Sequence, residues 1–302
     1  FWTPCDWPTP WNAWHNRREE SVAELPSLGE ILKKSEEFLA KKGIDNPKGD
    51  ARRLLAHGLN LAPMQVLLQF DRPLTDSEVA TLRALVVRRS QNEPLQHILG
   101  VVGFRHLQIC CDARALVPRS DTESIVDEVL SRLKDVPKAR VHEVGVGTGC
   151  ISLSLRHERA DLRVTGSDIS ADALALARHN AQVLGIWVPM IRADLLAFAK
   201  SESLDAVVSN PPYIPTADIA GLSAEVRADP KLALDGGPDG LDCFRKLIGQ
   251  SLSALKPGGW LVAEHGFDQG PATRALCGEG WTEVGTVQDL SKLDRFLVAR
   301  KA

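Results

Sequence analysis

From residue 140 to the end, short apolar runs of strand length alternate with segments of helical periodicity. That alternation restricts the fold more than any other feature of the chain. Strands are expected at 140–144, 162–168, 188–193, 204–209, 260–265, 281–287 and 295–299, with helices between the first five. A βαβα order of this kind builds a mainly parallel, doubly wound sheet covered on both faces. The stretch 288–294 is too short for a crossover helix, so the last two strands should pair antiparallel. The expected fold class is therefore α/β, Rossmann-like, with a mainly parallel seven-stranded sheet and an antiparallel last strand.

The chain before this region has a different character. Ser27 and Glu30 form an S-x-x-E capping box, followed by Leu28, Ile31, Leu32, Phe38 and Leu39 at helical spacing and by Gly43 as a stop. Helices are further expected from Asp50 to His57, after Pro63, and after a second capping box at Thr75 and Glu78. Residues 27–92 thus read as a small helical bundle, with the stripe of Leu28, Ile31, Phe38, Val79 and Leu82 as core. Residues 93–118 carry Ile98, Val101, Val102, Phe104, Leu107 and Ile109, punctuated by Gly100 and Gly103, and read as a β-hairpin linker. The remainder, 119–302, is the α/β domain. Residues 1–26 hold four of the seven tryptophans, interleaved with Pro4, Pro8 and Pro10. They lack a secretory signal pattern and read as an irregular extension outside the fold.

Charge and cysteine usage narrow the class of partner. A net charge of −3 argues against a protein built around nucleic-acid backbones, and there is no apolar run of membrane-spanning length. Six cysteines without CxxC or CxxH spacing read as reduced structural thiols of a cytoplasmic protein. No metal site is expected.

Two motifs carry chemistry. The first is Glu143-Val144-Gly145-Val146-Gly147-Thr148-Gly149, which follows the first strand and opens a helix. Glycines there let the backbone turn sharply and approach a ligand. A dinucleotide fingerprint needs G-x-G-x-x-G, and here the third position falls on Cys150. The G-x-G-x-G spacing after an acidic residue is the pattern of S-adenosyl-L-methionine sites; a plain glycine-rich turn is the alternative. Asp168, 19 residues after Gly149 at the end of the second strand, can accept hydrogen bonds from both ribose hydroxyls. Asp194 ends the third strand and can accept from the adenine amino group, with Leu195 packing on the ring.

The second motif is Asn210-Pro211-Pro212-Tyr213, directly after the fourth strand. Methylating a planar NH₂ group requires a poor nitrogen nucleophile to be held and enriched in electron density. The Asn210 side-chain oxygen and the Pro211 carbonyl can act as two in-plane acceptors. Pro211 and Pro212 stiffen the loop, and Tyr213 can stack on the flat substrate group.

With these motifs the chain resembles the HemK/PrmC-type family of protein-(glutamine N5) methyltransferases, over roughly residues 27–302. Further marks are Pro94-Leu95-Gln96-His97-Ile98-Leu99-Gly100, Val117-Pro118-Arg119-Ser120-Asp121-Thr122-Glu123, Ala233-Leu234-Asp235-Gly236-Gly237-Pro238-Asp239-Gly240-Leu241-Asp242, Lys256-Pro257-Gly258-Gly259 and Glu264-His265-Gly266. Glu143 stands where the family usually has Asp, Val146 replaces a common Thr, and Ser120 a common Pro. The resemblance implies a class I methyltransferase domain behind a helical substrate-recognition bundle and a β-hairpin. It implies S-adenosyl-L-methionine as methyl donor and S-adenosyl-L-homocysteine as product. The implied substrate is the glutamine of the Gly-Gly-Gln motif in bacterial-type class I peptide chain release factors. Direct nucleic-acid binding and membrane association are not expected. Two other functions fit the motifs less well: a nucleic-acid adenine methyltransferase, disfavoured by the absence of a basic stretch, and a non-catalytic S-adenosylmethionine-binding protein, disfavoured by the intact Asn210 and Tyr213.

Overall fold

A computed structural model describes residues 25–302 except Leu290. The Trp- and Pro-rich expectation for residues 1–24 lies outside the described residues. The chain divides into two compact units, the first reaching Val86 and the second running from Val87 to Ala302.

The first unit is helical. Helix α1 (Leu28–Lys41) starts at the expected capping box: the Ser27 hydroxyl accepts the Glu30 N–H, and Glu30 accepts the Ser27 N–H. α2 (Pro47–Gly58) begins earlier than expected, because Asn46 caps it and Pro47 occupies the first turn. α3 (Pro63–Leu68) and α4 (Asp76–Ser90) follow. Leu28, Leu32, Leu39, Leu54, Leu55 and Leu82 are buried. Phe38, expected in the core, is 38% exposed, and Leu39 takes the inward position. Ile31 and Val79 are only partly buried.

In the second unit, α5 (Leu95–Leu99) comes first, so Ile98 is helical and not part of a strand. The left-handed Gly100 ends it. The expected hairpin follows as β1 (Val101–Phe104) and β2 (Leu107–Cys110), antiparallel. Next come α6 (Glu123–Arg132), β3 (Arg140–Val144), α7 (Cys150–Glu158), β4 (Arg163–Asp168), α8 (Ala171–Leu184), β5 (Met190–Arg192) and β6 (Leu204–Ser209), with turns filling 193–203 in place of the helix expected between β5 and β6. The chain closes with α9 (Lys231–Leu234), α10 (Asp242–Ala254), β7 (Leu255–Glu264), α11 (Gly270–Ala275), β8 (Trp281–Gln288) and β9 (Asp294–Lys301).

β3 to β9 form one sheet in the order β5-β4-β3-β6-β7-β9-β8. β3 to β7 run parallel, and β9 is antiparallel to both β7 and β8. Burial of both faces follows from residue alternation. On β6, Ala206 and Val208 join the core beneath Ile125, Val129, Ile151 and Leu155, while Val207 faces Phe244, Leu247 and Ile248 of α10. The strand order reverses between β3 and β6. At such a switch point the loops leave in opposite directions and open a crevice at the carboxyl ends of the strands.

Candidate active site

The crevice is a cavity of about 310 Å³. Gly145, Val146, Gly147 and Thr148 line it after β3, Asp168 after β4, Asp194 and Leu195 after β5, and Asn210, Pro211 and Pro212 after β6. Both sequence motifs therefore open onto one space. Gly149 and Tyr213, expected in the site, are not among its lining residues. Gly149 has φ +83° at the start of α7, where a Cβ would stand 3.2 Å from Leu153 and 3.3 Å from Ala177, so a side chain there would crowd α7 against α8. Gly145 has φ +71° and open space where its Cβ would project, which leaves its backbone accessible to a ligand.

Asp168 is held in place before any ligand arrives. Its Oδ2 accepts the Gly147 N–H at 3.0 Å and its Oδ1 the Ser170 N–H at 2.8 Å. Each oxygen keeps a lone pair for a further donor. Leu195 sits at φ +51°, an unusual conformation for a branched side chain, and its carbonyl accepts the Ser167 hydroxyl at 3.0 Å. Glu143 also lines the cavity, and its Oε2 accepts the Ser152 N–H at 2.8 Å. Burial pushes its carboxyl up to about 8, with the neighbouring Asp168 charge adding to the effect. The residues present fit a nucleoside with a charged amino-acid tail: a glycine backbone without side chains, a fixed carboxylate at Asp168 and a second carboxylate at Asp194 after the next strand, and apolar surface from Val146, Ile169 and Leu195.

The Asn210 loop is anchored on several sides. The Ser209 hydroxyl donates to the Val144 carbonyl at 2.8 Å, tying β6 to β3. The Gln269 side-chain NH₂ donates to the Tyr213 carbonyl at 2.8 Å. Ile214 exchanges backbone bonds with Leu234 and Gly236 at 3.0 and 2.9 Å. Asn210 Nδ2 donates to the Thr122 hydroxyl at 3.2 Å. The Tyr213 ring packs beside the α10 cluster, and its hydroxyl donates to Glu264 Oε1 at 3.5 Å.

Three residues outside the expected set bear on the site. Arg119 and Thr122 line the cavity, and Glu264 lies behind Asn210 and Tyr213. Arg119 is steered by Asp229: its Nη2 donates to Oδ2 at 2.7 Å while the Val117 N–H holds Oδ1 at 3.1 Å. All three lie in stretches that carried the family resemblance, but no local spacing rule marks them as site residues.

A glycine-rich turn after β3, acidic residues at the ends of β4 and β5, and a proline-stiffened amide after β6, on a seven-stranded sheet with one reversed strand, define a class I methyltransferase domain. A family model of the PrmC N-terminal domain matches residues 30–100, and one of the methyltransferase small domain matches residues 124–225. The chain is 38% identical over 279 residues to a release factor glutamine methyltransferase of Geobacter sulfurreducens, covering 92% of this chain and 98% of that one. It is 41% identical over 267 residues to the protein of that name from Caulobacter vibrioides, covering 87% and 92% of the two chains. The one from Deinococcus radiodurans is 40% identical over 276 residues, covering 91% and 99%. The chain belongs to the release factor glutamine methyltransferase family.

Proposed function

We propose that this chain methylates the side-chain amide nitrogen, N5, of the glutamine in the Gly-Gly-Gln motif of class I peptide chain release factors. The observation that carries this reading is the orientation of Asn210. Its NH₂ is taken by Thr122, so its oxygen is left for an incoming NH₂ group in the cavity that the glycine turn lines. S-adenosyl-L-methionine supplies, when bound, a methyl group activated on a sulfonium sulfur. Gly145, Val146, Gly147 and Thr148 would hold its methionine part, Asp168 its ribose, and Asp194 with Leu195 its adenine.

The rest is done by the chain's own groups. Asn210 Oδ1 and the Pro211 carbonyl accept from the substrate NH₂ and hold its nitrogen lone pair toward the methyl. Positioning of this kind supplies much of the rate, because the bound geometry replaces a chance encounter. No strong general base is required, since the product nitrogen can lose its proton after transfer. The helical unit is the recognition module in this reading. A glutamine side chain alone offers little binding energy, so remote contacts must contribute to specificity.

The direct test is incubation with methyl-labelled donor and intact release factor, the same factor with its Gly-Gly-Gln glutamine replaced, or DNA. Label is expected in the intact factor alone. Label in DNA adenine would replace this reading with a nucleic-acid one.

Two further outcomes are expected. Asp168→Ala should weaken donor binding by about 2 kcal/mol, the scale of hydrogen bonds to a charged acceptor. Calorimetry checks this, and wild-type affinity would remove Asp168 from the site. Removing residues 1–86 should lower kcat/KM for the intact factor by roughly tenfold while a short Gly-Gly-Gln peptide is methylated as before. An equal loss on both substrates would show that the helical unit is not a recognition module. No helix among the described residues is long and apolar enough to cross a membrane. The five described cysteines are all free, which supports a reducing, cytoplasmic setting.

A further inference from the structure

Behind Asn210 lies a carboxylate with no part in the transfer described above. Glu264 ends β7 and is 3% exposed. Its Oε1 takes the Tyr213 hydroxyl at 3.5 Å, and its Oε2 is buried with no hydrogen-bond partner. The Thr122 hydroxyl and the Asn210 amide lie near enough to this carboxylate to favour its charged form, while neither closes a hydrogen bond to the free Oε2. Thr122, also 3% exposed, receives the Asn210 Nδ2 proton at 3.2 Å. It stands at the start of α6 but makes no side-chain cap there, so helix capping does not explain its hydroxyl.

We propose that Thr122 and Glu264 are positioning residues that decide which way round the Asn210 amide faces. The inference rests on the reading of Asn210 Oδ1 as the acceptor of the substrate NH₂. A primary amide has nearly the same shape either way round but opposite polarity. A threonine hydroxyl can donate or accept, whereas an ionised carboxylate only accepts. With Glu264 ionised, the Thr122 proton is drawn toward it, and the Thr122 oxygen presents lone pairs to Asn210. Only the NH₂ end of the amide fits against those lone pairs, so the oxygen end faces the cavity. With Glu264 neutral, its proton can go to Thr122 and the Thr122 proton can turn to Asn210. The amide then gains by reversing, and its NH₂ would meet the substrate NH₂, donor against donor. Carboxylate, hydroxyl and amide thus pass a single polarity to the substrate nitrogen.

This makes the chemical step sensitive to the charge on Glu264. Burial pushes its carboxyl up to about 7, against Thr122, Arg295 and Asn210, which favour the charged form, and with Asp121, which opposes it. The groups around it are Asp121 before α6, Cys150 of α7, Tyr213 after β6 and Arg295 of β9, with His265 next in the chain. Burial raises Cys150 and Tyr213 far above neutrality and lowers His265. Arg295 is paired with Asp289 at 2.9 Å and remains cationic. The rate of transfer should therefore rise with pH through about 7 as Glu264 ionises.

The test compares the wild type with Glu264→Gln, Thr122→Val and Thr122→Ser, all as full chains. Glu264→Gln should lower kcat by roughly tenfold with little change in KM for the donor, and should lose the acid limb of the pH profile. Thr122→Val should lower kcat similarly, and Thr122→Ser should restore it. A readout independent of activity is the Asn210 side-chain NH₂ resonance pair, assigned by its disappearance in Asn210→Asp. At the same pH these protons should exchange with solvent faster in Glu264→Gln and Thr122→Val than in wild type. Unchanged exchange in both variants would overturn the inference, as would a wild-type kcat and an intact acid limb in Glu264→Gln. If the wild type failed to methylate a release factor, the proposed substrate would fall, yet amide exchange would still decide how Asn210 is held.

Discussion

Asn210→Ala is expected to slow methyl transfer by about a hundredfold while leaving donor affinity close to wild type. Asn210 is partly buried at the end of β6, in a loop tied down by Ser209, Gln269 and the Ile214 backbone. Truncation therefore removes the amide without releasing the loop. In the proposed role of Asn210, the bond lost would strengthen as positive charge develops on the substrate nitrogen, so its absence would be felt more in the transition state than in the ground state. The loss then falls on kcat more than on KM. A deficit of roughly 3 kcal/mol corresponds to the hundredfold effect. Asn210→Asp keeps an oxygen acceptor and should retain more activity than Asn210→Ala. Single-turnover rates with release factor, beside calorimetry with the donor, make the comparison. A wild-type rate in Asn210→Ala would remove this loop from the chemistry.

Gly240→Ala should be as damaging from a greater distance in sequence. Gly240 has φ +76°, and a Cβ there would stand 2.3 Å from the Tyr213 carbonyl oxygen and 2.6 Å from the Gln269 amide nitrogen. The first clash is with backbone and cannot be relieved by rotating a side chain. Left-handed strain and overpacking together cost about 2–5 kcal/mol. For a domain of this size that is a fall in Tm of roughly 10 °C. The strain is relieved by pushing the Tyr213 end of the loop away from α10, and a shift near 1 Å at the acceptor can cost about a hundredfold in rate. Gly221→Ala is the matched control, because nothing lies within 4 Å of where its Cβ would be. Thermal unfolding and kcat measured on both variants test the argument. Equal behaviour of the two would show that Gly240 does not buttress the loop.

The middle of the sheet was legible in the sequence because its central strands are buried on both faces and read as unbroken apolar runs, such as Ala206-Val207-Val208. The antiparallel end was legible because a short connection excludes a crossover helix. Short helices were harder to read. Leu95–Leu99 spans too few residues to show a period, and Ile98 reads equally well as a strand residue. At Phe38 and Leu39, two adjacent apolar residues compete for one inward position, and only packing shows that Leu39 takes it.

The site divides along the same line. Gly145, Asp168 and Asn210 stand in motifs whose local spacing suggests a ligand site, and the structure brings them to one cavity. Gly149 and Tyr213 belong to the same motifs but stand off the cavity wall, Gly149 against Leu153 and Ala177 and Tyr213 against Glu264, which spacing alone does not show. Thr122 and Glu264 approach Asn210 from α6 and β7, far apart in sequence. The roles proposed for them rest on tertiary proximity, which a single sequence does not record.

The reversal of strand order between β3 and β6 has a consequence for how such a domain can diversify. The loops proposed for the donor nucleoside all precede residue 196, and the amide proposed to receive the substrate follows β6. The two halves are stitched along one seam, in register from Val141↔Ala206 to Val144↔Ser209. Within the segment between β6 and β7, α10 is bound to the donor half, since Asp242, Cys243 and Lys246 line the cavity and Gln250 holds the Leu196 N–H at 2.7 Å. It is thus the stretch from the Asn210 loop to Gly240 that can be lengthened or reshaped without redrawing the glycine turn or moving Asp168. One half is a fixed socket and the other an exchangeable fitting. New acceptors can be acquired by remodelling the fitting alone, provided the seam and the direction of the Asn210 amide are kept.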